Sequence, residues 1–292
     1  MRGDDDGYVT LAVLGFAGLI SVIAVGLVHV TGQGIQRTSI GSQALQVESL
    51  LESGLTGAGY LLFIENRAPE EVNALVLSLG RGSVGIEVFD EASRVDLNKA
   101  APALLASLFE VAGCTSLDPQ AFAERVVDWR DEDDLSSIYG AEGFDYAVAG
   151  MAGMPPNRPF RSVDELRFLH DLAAPDFQRL RPFLTVFNPS SRVLEDGASA
   201  TVRAAVERSD AMIADDELAE EDPAADDIAA DDGEQTNRPS GVYRVRLTAR
   251  TATGSAGVSE AVIARRTQAP RPYAVLMWSR PQDGVVSGDG RS

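Results

Sequence analysis

The sequence predicts an α+β chain, and three observations carry that prediction. An apolar N-terminal run passes into an amphipathic helical stretch, helix-start signals crowd the middle, and C-terminal segments alternate apolar with charged residues. The expected architecture is a long N-terminal helix packed on a small antiparallel sheet, with an inserted all-helical domain.

The run DGYVTLAVLGFAGLISVIAVGLVHV (6–30) has no formally charged residue from Tyr8 to Val30. At a rise of about 1.5 Å per residue it reaches across a hydrocarbon core of about 30 Å. Leu11, Ala12, Leu14, Phe16, Leu19, Ile20, Ile23 and Leu27 are the residues expected to face lipid or neighbouring helices. A cleavable secretion signal fits less well than a retained anchor. The start MRGDDDG is acidic, the run is long, and no Ala-x-Ala pattern follows it. Arg2 and Arg37 flank the span one on each side, so the Lys/Arg count does not orient it. Its N-terminal position, with the bulk of the chain behind it, does.

A helical reading continues through QGIQRTSIGSQALQVESLLESGLTGAGYLLFIEN, where Ile40, Leu45, Leu51, Leu55 and Leu62 form an apolar stripe. Glycines at 54, 57 and 59 argue against an unbroken rod. Val84, Ile86 and Val88 give a weak strand signal, and residues 100–111 read as a short helix. Asp118 followed by Pro119 marks a firmer helix start, with Phe122, Val126 and Trp129 on one face. Ser162 with Glu165 reads as a capping box ahead of Leu166, Leu169 and Leu172.

Between Asp210 and Glu234, 12 residues are acidic and none is basic, which reads as a solvated linker or insertion. GVYRVRLTAR then alternates apolar with Arg and Thr, TATGSAG supplies a turn, and VSEAVIARR and PYAVLMW are two further strand candidates. The second half of the N-terminal helix is the expected cover for the apolar face of this sheet. A net charge of −19 argues against nucleic-acid binding. Cys114 is the sole cysteine and reads as a small buried residue.

These pieces resemble the minor pseudopilins of the protein K family of type II secretion. Gly7–Tyr8 followed by VTLAVLGF looks like a prepilin peptidase site, where a leader (1–7) is removed and the new N-terminus methylated. The fifth mature position is Ala12, and lacking the usual glutamate there is typical of protein K. DEASRVDLNKA (90–100), VVDWRDEDD (126–134) with YGAEGFDY (139–146), and NRPFRSVDELRFL (157–169) are similar to the family's internal motifs. Two features depart from the pattern. The leader is acidic where a basic one is usual, and the acidic linker holds most of the place (198–235) of a second helical insertion.

The resemblance implies a pseudopilin fold and a non-enzymatic, structural role. The expected role is to cap the tip of the pseudopilus with minor pseudopilins I and J and to help start its assembly for export of folded proteins. The major pseudopilin and the inner-membrane assembly platform are the other implied partners. The expected location is a single pass in the bacterial inner membrane with the C-terminal part in the periplasm. On this reading residues 8–30 span the membrane and 31–99 form the amphipathic helix and first strand. Residues 100–187 form the inserted helical domain, 188–209 a return segment, 210–238 the acidic linker and 239–292 the C-terminal sheet. The competing readings are a membrane-tethered, calcium-dependent binding module outside any filament, and an anchored hydrolase.

The candidate metal ligands are Asp128, Asp131, Asp133, Asp134 and Glu142. Hard cations such as calcium take several oxygen ligands, and this is the densest acidic cluster within a foldable region. The spacing is not that of an EF-hand, because Leu135 stands where an oxygen ligand belongs. A solvated helix end is the alternative. The resemblance implies calcium in the globular part without matching ligands residue by residue. His29, His170 and Cys114 lack zinc-like spacing, and no nucleophile elbow or phosphate-binding loop is present.

Overall fold

The computed structural model describes residues 43–219, 239–266 and 272–279. Gly7, Tyr8 and the expected membrane residues Leu11 to Leu27 lie outside the described residues. Among those described, no helix is long and apolar enough to cross a membrane.

Helix α1 occupies residues 43–63 and lies across a five-stranded antiparallel sheet of order β1-β2-β5-β6-β7. The strands are β1 (Val76–Leu79), β2 (Gly82–Asp90), β5 (Val242–Thr251), β6 (Ala256–Arg265) and β7 (Tyr273–Ser279). A short helix α2 (Pro69–Val72) joins α1 to the sheet. Period-two alternation puts Val84, Ile86 and Val88 of β2 and Val245, Leu247 and Ala249 of β5 on the face covered by α1. Register fixes the layer, with Ile86 opposite Leu247. Fully burying side chains of this size contributes roughly 1.5–3 kcal/mol each.

The glycines of α1 do not break it. A Cβ on Gly54 would lie 2.6 Å from Val84 Cγ1, and one on Gly59 would lie 2.3 Å from the Tyr273 ring. They let the helix settle closely on the sheet, at a propensity cost of about 1 kcal/mol each that the added contact offsets. The expected stripe is corrected at one end: Leu45 is exposed.

Strands β2 and β5 are hydrogen-bonded neighbours, yet a long excursion separates them. Its two ends are tied at the root, where Asp90 accepts from Ala92 N, Ser240 N and Ser240 Oγ. A parallel pair, β3 (Val95–Asp96) and β4 (Leu184–Thr185), brackets the helices between. These are α3 (Pro102–Val111), α4 (Pro119–Arg130), α5 (Gly143–Val148) and α6 (Ala174–Leu180). They share a core in which Leu105, Phe109, Phe122, Trp129, Tyr146 and Leu166 are fully buried.

Asp118 caps α4 by accepting from Gln120 N at 2.9 Å, with Pro119 in the first turn. Ser162 Oγ likewise accepts from Asp164 N, but the helix it opens is a 3₁₀ segment, Val163–Phe168. Leu169 is already extended, so the amphipathic α-helix expected through Leu172 does not form. Glu165 is drawn instead into a salt bridge with Arg158.

The chain behind β4 also differs from expectation. Helix α7 (Ala200–Ala219) runs through the return segment and into the acidic stretch expected to be linker from 210. Val202 and Ala205 are buried in the helical core, and Arg208 pairs with Glu110 of α3 at 2.7 Å. Packing of one face onto α3 outweighs the like-charge repulsion written into the sequence. The remainder of the acidic run lies outside the described residues.

Candidate functional site

The three internal motifs meet in space. Asn98 donates to Phe160 O at 3.0 Å and accepts from Phe160 N at 2.7 Å. Arg130 donates to Leu97 O at 2.7 Å and Ala100 O at 3.0 Å. Arg158 N donates to Trp129 O at 3.2 Å, and the Trp129 and Phe160 rings stack at 5.1 Å. Each motif thus supplies the backbone or ring that another needs. The junction they build holds the acidic loop that follows α4.

Asp128 is not at a solvated helix end but fully buried. Its carboxylate accepts from Ser137 Oγ at 2.6 Å, Ser137 N at 3.2 Å and Ala141 N at 2.9 Å. Those bonds pin the far side of the loop and use up its oxygens, so Asp128 is a clamp. Gly140 makes room for it, since a Cβ there would lie 1.8 Å from Asp128 Oδ2.

The other expected ligands divide. Asp133 is exposed and accepts from Leu135 N at 2.9 Å. Asp134 is also exposed and accepts from Asn157 Nδ2 at 2.9 Å. Asp131 Oδ1 is buried with no hydrogen-bond partner, and the Glu142 carboxylate is buried with only the N–H groups of its own helix start, Gly143 and Asp145, near it and no well-aligned bond. Asp145 accepts from Glu142 N at 3.1 Å and so fixes the backbone that carries Glu142.

Sequence reasoning missed Asn157. Its amide nitrogen is held by Asp133 O and Asp134 Oδ1, while its Oδ1 is buried and unpartnered. Its φ of 44° places it in the left-handed region that asparagine tolerates. The only signal in the sequence was its place at the head of the NRPF motif.

The electrostatics follow from this crowding. Burial, then Asp128, Asp131 and Asp134, push the Glu142 carboxyl up to about 7. Burial, then Asp133 and Asp128, raise Asp131. Bare, buried, mutually repelling oxygens on Asp131, Glu142 and Asn157 fit a hard cation, which takes oxygen ligands from carboxylates, amides and backbone carbonyls. Among the described residues, no group of three or more His, Cys, Asp and Glu side chains converges as a metal cluster. Asn157 and backbone carbonyls would therefore complete the set.

The remaining candidates serve the fold. Cys114 is buried, donates to Asp176 O at 3.8 Å, and its thiol is pushed up to about 11 by burial first and Asp176 second. Such a thiol is a poor nucleophile at neutral pH. The His170 ring packs edge-on against Tyr146 at 5.4 Å, and its backbone N–H donates to the Tyr146 hydroxyl.

Comparison with known proteins agrees with the motif reading. The family described as "Type II secretion system (T2SS), protein K" matches residues 71–189. The Type II secretion system protein K of Pseudomonas aeruginosa is 34% identical over 88 residues, covering 30% of this chain. The match spans only 26% of that protein's length. Among solved structures, the GspK-GspI-GspJ complex from the enterotoxigenic Escherichia coli type 2 secretion system contains a chain of similar fold. That likeness has a TM-score of 0.60 at 17% identity and covers 86% of this chain and 100% of that one. The resemblance to protein K is thus borne out, and the fold is the α+β pseudopilin fold.

Proposed function

We propose that this chain is a minor pseudopilin of a type II secretion system, acting at the pseudopilus tip as a structural, non-enzymatic subunit. The observation that carries the reading is where the family match falls on the fold. The residues matched to protein K, 71–189, take in β1, β2 and the part of the excursion from β3 to β4 that holds helices α3 to α6, and stop short of α7. The helix-on-sheet body that frames them is the pseudopilin fold.

The helical layer stands out from a body small enough to stack in a filament. A subunit carrying such a layer obstructs another copy above it, which suits a terminal position. Its partners would be minor pseudopilins I and J, then the major pseudopilin and the assembly platform in the inner membrane. Residues 8–30 would anchor it and pack against neighbouring helices, with the described head in the periplasm. Processing between Gly7 and Tyr8 with N-methylation belongs to the same reading.

Two measurements test it. Mass spectrometry of the N-terminus should find a methylated chain starting at Tyr8; an intact leader, or a cut behind residue 30, would count against it. Mixing the detergent-solubilised chain with its I and J counterparts should give an equimolar complex by light scattering. Failure to associate at any calcium concentration would leave a tethered module ahead.

Calcium is the cation proposed for the acidic loop, with Asp131, Glu142 and Asn157 as ligands and Asp134 orienting Asn157. Asp128 serves as the clamp behind them, and Asp133 contributes its carbonyl contact to Asn157. Bound there, the cation would neutralise the repelling carboxylates and stiffen the loop. Isothermal titration with calcium, repeated on Glu142→Gln, tests this directly.

A further inference from the structure

A cleft of about 460 Å³ opens where the sheet meets the helical layer, and four arginines line it, Arg94, Arg161, Arg181 and Arg244, against two carboxylates, Asp164 and Glu260. So many guanidinium groups around one cavity run against the character of a chain with net charge −19. They are not equivalent. Arg244 is committed to Glu91 and Glu260, and Arg181 reaches Asp164 at 3.2 Å. Arg94 and Arg161 have no side-chain hydrogen bond or ion pair among the described residues, and Arg94 is half-buried.

Arg94 is therefore held in a costly place. Burial and the neighbouring Arg244 lower its pKa, and the pull of Glu91 and Glu260, both already held by Arg244, offsets only part of that. A guanidinium with five N–H donors gains little from such a position in the free fold. An anion entering the cleft removes the cost, and the planar fork suits a carboxylate held by two parallel hydrogen bonds.

The walls are not wholly polar. Phe187 and Leu276 face the same space. The register of β7 on β6 slips between Val262 and Ile263, so Met277 pairs with Val262, Val275 with Ile263, and Leu276 is the extra residue. A bulge re-aims a side chain, and here it leaves Leu276 47% exposed at the cleft. Apolar surface beside unpaired arginines matches a peptide better than a small inorganic anion. Among the described residues strand β7 is also a sheet edge, the kind of backbone row that can pair an extended segment.

We infer that this cleft binds an acidic, extended peptide segment of a protein partner, with Arg94 and Arg161 receiving a carboxylate and Leu276 and Phe187 the apolar residue beside it. The inference does not depend on the pseudopilin reading. Because both layers line the cleft, an occupied site would lock the helical layer to the sheet.

The test uses the full chain in detergent and two rhodamine-labelled probe peptides, one alternating Leu and Glu and the other its Leu/Gln isostere, read by anisotropy. The Leu/Glu peptide should bind at least about tenfold more tightly than the isostere, a difference of about 1.4 kcal/mol. Added salt should weaken it. Arg94→Gln should remove that preference, Arg94→Lys should keep part of it, and neither should lower the melting temperature. Equal binding of the two peptides, no binding of the acidic one, or unchanged binding in a folded Arg94→Gln chain each overturn the inference. So does competition by inorganic phosphate at concentrations where the Leu/Gln peptide has no effect, which would mark a plain anion site.

Discussion

Two acidic clusters in this molecule use carboxylates in opposite ways. Under the sheet, Glu91 is fully buried, and every oxygen it offers is taken: Thr185 Oγ1 donates to one, and Arg244 bridges it to Glu260. In the loop behind α4, Glu142 is buried and Asp131 half-buried, and Asp131 Oδ1 and both Glu142 oxygens lack a well-formed hydrogen bond. The first cluster is closed by the chain itself. The second is the one that the calcium proposal would close. A buried acid therefore reads as scaffold or as ligand according to its partners, and burial alone does not distinguish the two.

The largest expected effect comes from opening the closed cluster. Arg244→Met strands Glu91 without its cation and should cost about 3–5 kcal/mol in urea denaturation. Arg244→Met combined with Glu91→Gln should recover most of it, because the Thr185 bond survives. A single variant as stable as the parent would erase the contrast.

Filling the open cluster should come next. Calcium at about 100-fold over its Kd should add about 2.7 kcal/mol of stability, seen as a rise in melting temperature. Glu142→Gln and Asn157→Ala should each abolish the rise, whereas Arg244→Met should keep it. A rise that survives both loop variants would move the site elsewhere. Gly140→Ala tests the clamp behind the loop. Its methyl displaces the Asp128 carboxylate and should cost about 1–3 kcal/mol by overpacking, with weaker calcium binding.

The smallest effect is a pH dependence. Glu142 titrates at about 7 in the fold against an ordinary 4.5. Its raised value stabilises the metal-free chain fully below the ordinary pKa and is lost as pH rises through about 7. Melting without calcium should therefore fall between about pH 4.5 and pH 7, and Glu142→Gln should flatten that fall. Asp176 works with the opposite sign. Burial opposes its charge, but Ser116, Thr115 and Arg179 outweigh burial and hold it at about 2. Its contribution stands above pH 3.8 and is lost as pH falls through about 2, so acid denaturation should report Asp176 and not the loop.

What could be read from the sequence follows from how local each signal is. Strands β5 and β6 show in their alternation because one face is buried and the other only partly covered along most of their length. The Asp118–Pro119 start shows because a cap is chosen by adjacent residues. Strand β1 leaves no clear mark, since Val76 is exposed and the strand is short. Helix α7 was hidden by its acids, because what holds it is α3, nearly a hundred residues earlier by the Arg208–Glu110 pair.

The site was half legible for the same reason. Asp131 and Glu142 stood out as acids, but so did Asp128, and only the fold reveals that the Ser137 and Ala141 amides occupy it. Asn157 carries no charge and lies outside the acidic run. Its role depends on the junction of the three motifs, which no local pattern encodes.

The knot of hydrogen bonds between Asp90 and Ser240 makes the whole helical layer a graft on a hairpin. Both of its ends leave from one spot beside strands that are already paired, so a tight turn could replace the layer without shifting a single rung of the ladder. Evolution can thus enlarge, trim or exchange the outer layer independently of the body. A force applied to that layer from outside reaches the sheet through this narrow neck and the Thr185–Glu91–Arg244 chain beside it.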